Sequence, residues 1–175
     1  MINLMNPLPV VWFTGLSGSG KTTLATGLQT CLQQSSLPCC VLDGDVVRQG
    51  LCSDLGFSQS NRRENVRRIA ECAQIITNSG IICCVACIAP LHEQRLLVKK
   101  ILNDKYIEIF VSCGFEECKK RDVKGLYKEY ENGNIKQFTG GTSRYEIPKS
   151  PNLILNTEKL SVNECIDILL GYLLK

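Results

Sequence analysis

Residues 9–28 read PVVWFTGLSGSGKTTLATGL, and this stretch decides the fold. The apolar run Val10 to Phe13 ends in a glycine-rich turn, and the turn opens directly on a helical pattern. Inside it, Gly15 to Thr22 match G-x-x-x-x-G-K-[ST]. The glycines let successive backbone N–H groups curl around a phosphate. Lys21 brings a point charge to the β- and γ-phosphates, and the Thr22 hydroxyl reaches a magnesium ion. The pattern alone has false positives. A strand before it and a helix after it mark a true nucleotide-phosphate loop, and both are present.

Outward from the loop, apolar runs alternate with helical periods. Strands are expected at 9–15, 39–45, 81–89, 106–113 and 152–157, and helices over 22–34, 61–80, 91–103, 115–122 and 161–174. The run IICCVACIA (81–89) is apolar on both faces, as a central parallel strand is. This rhythm predicts an α/β architecture of three layers: a P-loop kinase fold with a five-stranded, mostly parallel sheet flanked by helices. Residues 123–150 break it. They are polar, glycine-containing and without an apolar period, and an insert of that length in a compact domain is usually a functional lid. Lys124, Lys128, Lys136 and Arg144 suit a lid over an anionic ligand, while a solvated loop is the alternative. The organisation expected is one P-loop kinase domain, 1–175, with a lid at about 123–150.

Composition narrows the class. The chain has 175 residues, 44% hydrophobic and 21% charged, which is ordinary globular usage and excludes a disordered, collagenous or coiled-coil chain. No apolar run approaches the roughly 20 residues of a membrane helix. The start has neither the basic segment nor the cleavage site of a secretory signal. Twenty basic against 17 acidic residues, a net charge of +3, are too balanced to argue for nucleic acid. The 11 cysteines fall mostly in apolar runs and read as buried thiols in a reducing, cytoplasmic setting. Cys84 and Cys87 form a C-x-x-C, but on a strand residues three apart face opposite ways, so the pair is not expected to share a metal.

Further residues carry chemistry. Asp43 and Asp45 close the second strand, where parallel sheets place their ligands. Two carboxylates there can hold a magnesium-bound water and accept a proton from an attacking hydroxyl. The plainer role, a helix N-cap by Asp45 ahead of VVRQGL, accounts for one aspartate and not for both. Arg62 and Asn65 share a helix face and present a guanidinium fork and an amide to one ligand, as suits phosphate, sulfate or carboxylate. Arg63, Arg67 and Arg68 read as a solvated face, and His92 as a helix-start residue without catalytic duty. There is no Asn-Lys-x-Asp base-reading motif, which argues against a GTPase. A small P-loop domain with a basic lid reads as a kinase of a small molecule.

The sequence resembles the adenylylsulfate kinases (APS kinases) from about Val10 to Thr157. The blocks that carry the likeness are WFTGLSGSGKTTLA (12–25), LDGDVVR (42–48), DLGFS with RxENVRRIAE (54–71), Ile88-Ala89-Pro90, RDVKGLYK (121–128), IKQFTG (135–140) and YExP (145–148). That family transfers the γ-phosphate of MgATP to the 3′-hydroxyl of adenosine 5′-phosphosulfate (APS), giving PAPS, the activated sulfate donor. The resemblance implies roles. Gly15, Ser17, Gly18, Ser19, Gly20, Lys21, Thr22 and Thr23 hold the ATP phosphates, and Arg121 and Thr157 also lie on the ATP side. Lys21, Asp43 and Asp45 are the catalytic set, with Asp45 as base and with Thr22 and Asp43 at Mg²⁺. Arg48, Arg62, Asn65 and Ile88 face the acceptor, Phe57 and Phe138 sandwich its base, and Lys124 closes over it. A homodimer, nucleotide substrates and no nucleic-acid or membrane partner are also implied.

The chain departs from the family's usual pattern at several positions. Ala89 replaces a serine linked to a phosphoenzyme form, Asn61 replaces an aspartate, and Pro90-Leu91-His92 replaces Pro-Tyr-Arg. Residues 141–146, GTSRYE, stand where Ile-Asp-x-Pro-Tyr-Glu is usual. These positions cluster around the acceptor and the lid. Two other readings therefore stay open: a sister kinase acting on another activated nucleotide, such as CDP-phosphoramidate in capsule biosynthesis, and a non-catalytic nucleotide-binding domain.

Overall fold

Every expected strand forms. The computed structural model describes residues 7–174. Strands β1 (Val10–Thr14), β2 (Cys39–Asp43), β3 (Ile82–Ala86), β4 (Tyr106–Ser112) and β5 (Leu153–Asn156) make one sheet in the order β2-β3-β1-β4-β5. All four pairings are parallel. β1 and β3 are buried at every residue because helices cover both faces.

On one face, α1 (Lys21–Gln34) and α7 (Val162–Leu173) bury Leu24, Leu28, Leu32 and Leu169 against Val11, Phe13, Ile109 and Val111. On the other, α3 (Gln59–Asn78) and α4 (His92–Leu102) set Val66, Ile69, Ala73 and Val98 against Val10, Trp12, Cys83 and Val85. Each large side chain so buried stabilises by about 1.5–3 kcal/mol. A third, small cluster of Cys118, Tyr127 and Phe138, with Leu16, Phe115 and Tyr130 against it, lies outside both layers.

Several boundaries differ from the sequence reading. β2 stops at Asp43, and Gly44–Gln49 form the short helix α2. Its cap is Asp43, whose carboxylate accepts the Asp45 N–H at 2.8 Å, so the N-cap role weighed for Asp45 as the plainer alternative belongs to its neighbour. α3 starts two residues early because the Ser58 hydroxyl caps it. After α5 (Phe115–Arg121), the lid segment contains a helix of its own, α6 (Leu126–Glu131). β3 ends at Ala86, so Cys87 lies beyond the strand and the opposite-face argument for Cys84 and Cys87 does not apply. Cys84 instead sits 3.7 Å from Cys39. All 11 cysteines are free, and no group of three or more His, Cys, Asp or Glu placed to hold a metal occurs among the described residues.

Candidate active site

The turn from β1 to α1 wraps an anion-sized space with backbone. Gly18 and Gly20 have φ of 78° and 100°, which side chains rarely adopt. At Gly18 a Cβ would also come within 2.9 Å of the Cys118 carbonyl oxygen. Lys21 is buried, and its Nζ donates to the carbonyls of Gly15 (3.0 Å) and Leu16 (2.6 Å). Burial pulls its pKa down to about 8. A buried ammonium held only by neutral carbonyls is short of negative charge, which a phosphate supplies. The Ser19 hydroxyl is buried without a partner. Behind the loop, Thr157 Oγ1 donates to the Ser19 carbonyl (2.9 Å), and Arg121 donates to Thr157 Oγ1 (3.2 Å) and its carbonyl (2.7 Å).

The end of β2 faces this loop. Thr22 Oγ1 donates to Asp43 Oδ2 at 2.6 Å, so the P-loop hydroxyl and the first carboxylate of DGD touch. The two are hard oxygen donors at one point, a set that fits Mg²⁺, which binds through one or two protein oxygens with phosphates and water completing its shell. Asp45 projects from the first turn of α2, more than half exposed, and pairs with Lys124 Nζ from the lid.

These groups line one cavity of 1370 Å³. It brings together Ser17, Gly18, Gly20, Lys21, Thr22, Thr23, Asp43, Asp45, Arg48, Phe57, Arg62, Asn65, Ile88, Lys124 and Phe138. Gly15, Ser19, Arg121 and Thr157 do not line it; Arg121 and Thr157 brace the loop through the Ser19 carbonyl. Asn65 is 4% exposed and its Oδ1 has no partner, so α3 delivers an unsatisfied amide beside the cavity. Such an atom calls for a ligand or water partner.

Two expectations change in detail. The Arg62 fork is spent on protein oxygens: Phe57 O (2.8 Å), Thr139 Oγ1 (2.7 Å) and Gln137 O (2.7 Å), so it ties α3 to the lid. Arg48 similarly donates to Leu55 O and Gly56 O, and its guanidinium lies 4.6 Å from the Phe57 ring centre. Phe57 is exposed, whereas Phe138 is buried, stacked on Tyr130 at 5.0 Å and met edge-on by Tyr127 at 4.7 Å. One face of Phe138 is therefore already taken. Of the lid cations, Lys124 and Lys136 line the cavity. Arg144 lines an adjoining cavity of 620 Å³ and pairs with Glu146, and Lys128 lines neither.

Arg67 and Arg68 do more than face solvent: Arg68 forks onto Asp54 and both pair with Glu64, so neither is free for a ligand. His92 opens α4, its backbone N–H donating to Glu146 Oε2 at 2.6 Å. Sequence reasoning missed a second tier. Thr14 Oγ1 donates to the Ile88 carbonyl at 2.5 Å and meets the Tyr145 hydroxyl at 3.1 Å. Buried Arg95 holds Glu108 (3.0 Å), Ala89 O (2.8 Å) and Glu146 O (2.6 Å). The YExP block was the available signal for Tyr145 and Glu146; nothing in the pattern marked Arg95.

A family model described as adenylylsulphate kinase matches residues 8–156. A probable adenylyl-sulfate kinase of Halalkalibacterium halodurans is 48% identical over 94% of this chain and 82% of its own. Among solved structures, an APS kinase of Mycobacterium tuberculosis in complex with AMPPNP and APS superposes with a TM-score of 0.93 at 39% identity, covering 95% of this chain and 98% of that one. A hexameric APS kinase from Thiobacillus denitrificans gives 0.71 at 34% identity, covering 94% of this chain and 28% of that one.

Proposed function

The chain belongs to the adenylylsulphate kinase family, and on that premise we propose that it transfers the γ-phosphoryl group of ATP to the 3′-hydroxyl of adenosine 5′-phosphosulfate, giving PAPS and ADP. The observation that carries this reading is the shared cavity. The phosphate loop, Asp43 and Asp45, and Asn65 with Phe57 and Phe138 all line it. A donor nucleotide and an acceptor nucleotide can meet there at the two carboxylates.

The chemistry asks mainly for alignment and charge neutralisation. Lys21, already short of an anion, takes the ATP phosphates together with the backbone of Gly18 to Thr23. Asp45 accepts the proton of the 3′-hydroxyl as its oxygen bonds to the γ-phosphorus and the β–γ bridging bond breaks. Lys124 leaves Asp45 for this to happen and becomes available to the transferring phosphoryl group. Thr22 and Asp43 would hold Mg²⁺, which when bound neutralises charge on the phosphate oxygens. Asn65 Oδ1 takes a donor from the acceptor. Arg48 and Arg62 flank Phe57 as a cationic rim that favours the phosphosulfate. Arg121 and Thr157 keep the donor side of the loop in shape.

No helix among the described residues is long and apolar enough to cross a membrane. A cytoplasmic homodimer remains the expected form, and sedimentation of the full chain distinguishes it from the hexamer described for the Thiobacillus relative. The functional test is ADP release by the purified protein with MgATP, offering APS and CDP-phosphoramidate in parallel. Turnover with APS is expected. Turnover with the cytidine compound alone would overturn the acceptor assignment, and turnover with neither would favour a non-catalytic domain.

A further inference from the structure

We propose that Tyr127 is a positioning residue that couples occupation of the phosphate loop to the seat of the acceptor's base; this rests on the functional reading above. The residue belongs to the third apolar cluster, which neither helical layer of the fold requires. Its ring is 1% exposed and its hydroxyl donates to the Ser17 carbonyl at 2.8 Å. Ser17 belongs to the loop whose N–H groups face the ATP phosphates. The same ring meets Phe138 edge-on, with centres 4.7 Å apart and planes at 78°. One side chain thus touches a donor-site backbone group and an acceptor-site ring.

A second contact runs alongside. A Cβ at Gly140 would come within 2.8 Å of Leu16 Cδ2, so the turn after Phe138 rests on a P-loop side chain. Tyr127 is fixed at its own base, its N–H donating to Asp122 Oδ1 at 3.0 Å. When phosphates order the loop, the Ser17 carbonyl is held in one direction. The Tyr127 ring is then held with it, and so is the edge on which Phe138 rests. The ordering cost of the acceptor seat is met in part by the donor. By linkage, the acceptor tightens the donor by the same factor.

Tyr127→Phe removes one oxygen and keeps the ring, its packing and the Phe138 contact. The measurement is the APS dissociation constant by calorimetry with and without Mg·AMPPNP, on the full chain, alongside a thermal melt. In the parent protein AMPPNP is expected to tighten APS by at least about fivefold. In Tyr127→Phe the APS constant without nucleotide should stay within about twofold. The coupling factor should fall by at least about threefold, toward 1, a loss within what a single neutral hydrogen bond supplies. An unchanged coupling factor overturns the proposal. So does a parallel loss of APS affinity with and without nucleotide, which would mark a merely structural role, and so does a parent protein with no coupling. A parent protein that turns over APS while the variant keeps its coupling sinks this inference alone, whereas a parent that neither binds nor turns over APS sinks the functional reading with it.

Discussion

Replacing Arg95 by methionine removes one buried charge and leaves three oxygens behind. Arg95 is 3% exposed, and its guanidinium serves Glu108, Ala89 O and Glu146 O at 2.6–3.0 Å. Methionine keeps much of the apolar contact but strands the carboxylate. Deleting one partner of a buried ion pair costs about 3–5 kcal/mol. The Glu108 side chain keeps 14% exposure, so water offers some relief and the lower end, about 3 kcal/mol, is expected. At about 2–4 °C per kcal/mol for a domain of this size, the melting temperature should fall by roughly 6–12 °C. Burial holds the Glu108 carboxyl above its ordinary range, and Arg95 pulls it back. A raised folded-state value means the native protein binds that proton more readily than the unfolded chain. Stability is therefore lost as pH rises from the unfolded value through the folded one. Without Arg95 the folded value climbs further, so the penalty should be smaller near pH 5 than near pH 7.5. Adding Glu108→Gln should recover much of the loss and flatten the pH dependence. Urea and thermal melts of the single and double variants at both pH values provide the readout. A fall below about 2 °C, or a double variant no more stable than the single, would refute the reasoning.

Asp45→Asn should lower kcat by at least about 10²-fold with MgATP binding retained, as loss of a general base predicts; near-normal turnover would remove the assignment. Lys21 is held at about pKa 8 by burial, so the ligand-free protein sheds this proton more easily than the unfolded chain. Phosphate binding should draw the proton back, and ADP binding near pH 8.5 should show proton uptake when calorimetry is repeated in buffers of different ionisation enthalpy. The uptake should vanish in Lys21→Met, and its absence in the parent protein would contradict the account.

The frame of the molecule was legible because its signals are local. β1 and β3 are buried on both faces and read as continuous apolar runs, and the phosphate loop is a contiguous motif between a strand and a helix. Asp43 and Asp45 were legible for the same reason, since a strand's carboxyl end places them. What escaped was set by contacts between distant segments. Glu108 lies on β4, whose burial alternates along the strand, so in sequence it reads as a solvent-facing residue. Its partner Arg95 sits 13 positions earlier on an amphipathic helix, and no local period links them. Arg62 shows the opposite failure. Its type and its place beside Asn65 were readable, but its commitment to Gln137 and Thr139 depends on where the lid lands. The helix in the lid was missed because α6 takes its order from burying Tyr127 in the third cluster, not from an apolar stripe of its own.

The departures from the family pattern gain a physical meaning once placed. Ala89 lines the main cavity, but Leu91, Thr142, Ser143 and Arg144 line the adjoining 620 Å³ cavity instead, and Asn61, His92 and Gly141 line neither. None replaces Asp43, Asp45, Asn65 or Phe138, to which the proposed reaction assigns roles. Gly141 has a packing reason for being small: a Cβ there would lie 2.7 Å from Tyr130 Cζ. With no side chain at 141, the Tyr130 ring fits over that backbone while it stacks on Phe138, planes 20° apart. The absent side chain at 141 and the tyrosine at 130 are thus two halves of one packing arrangement. It holds the Phe138 ring against α6.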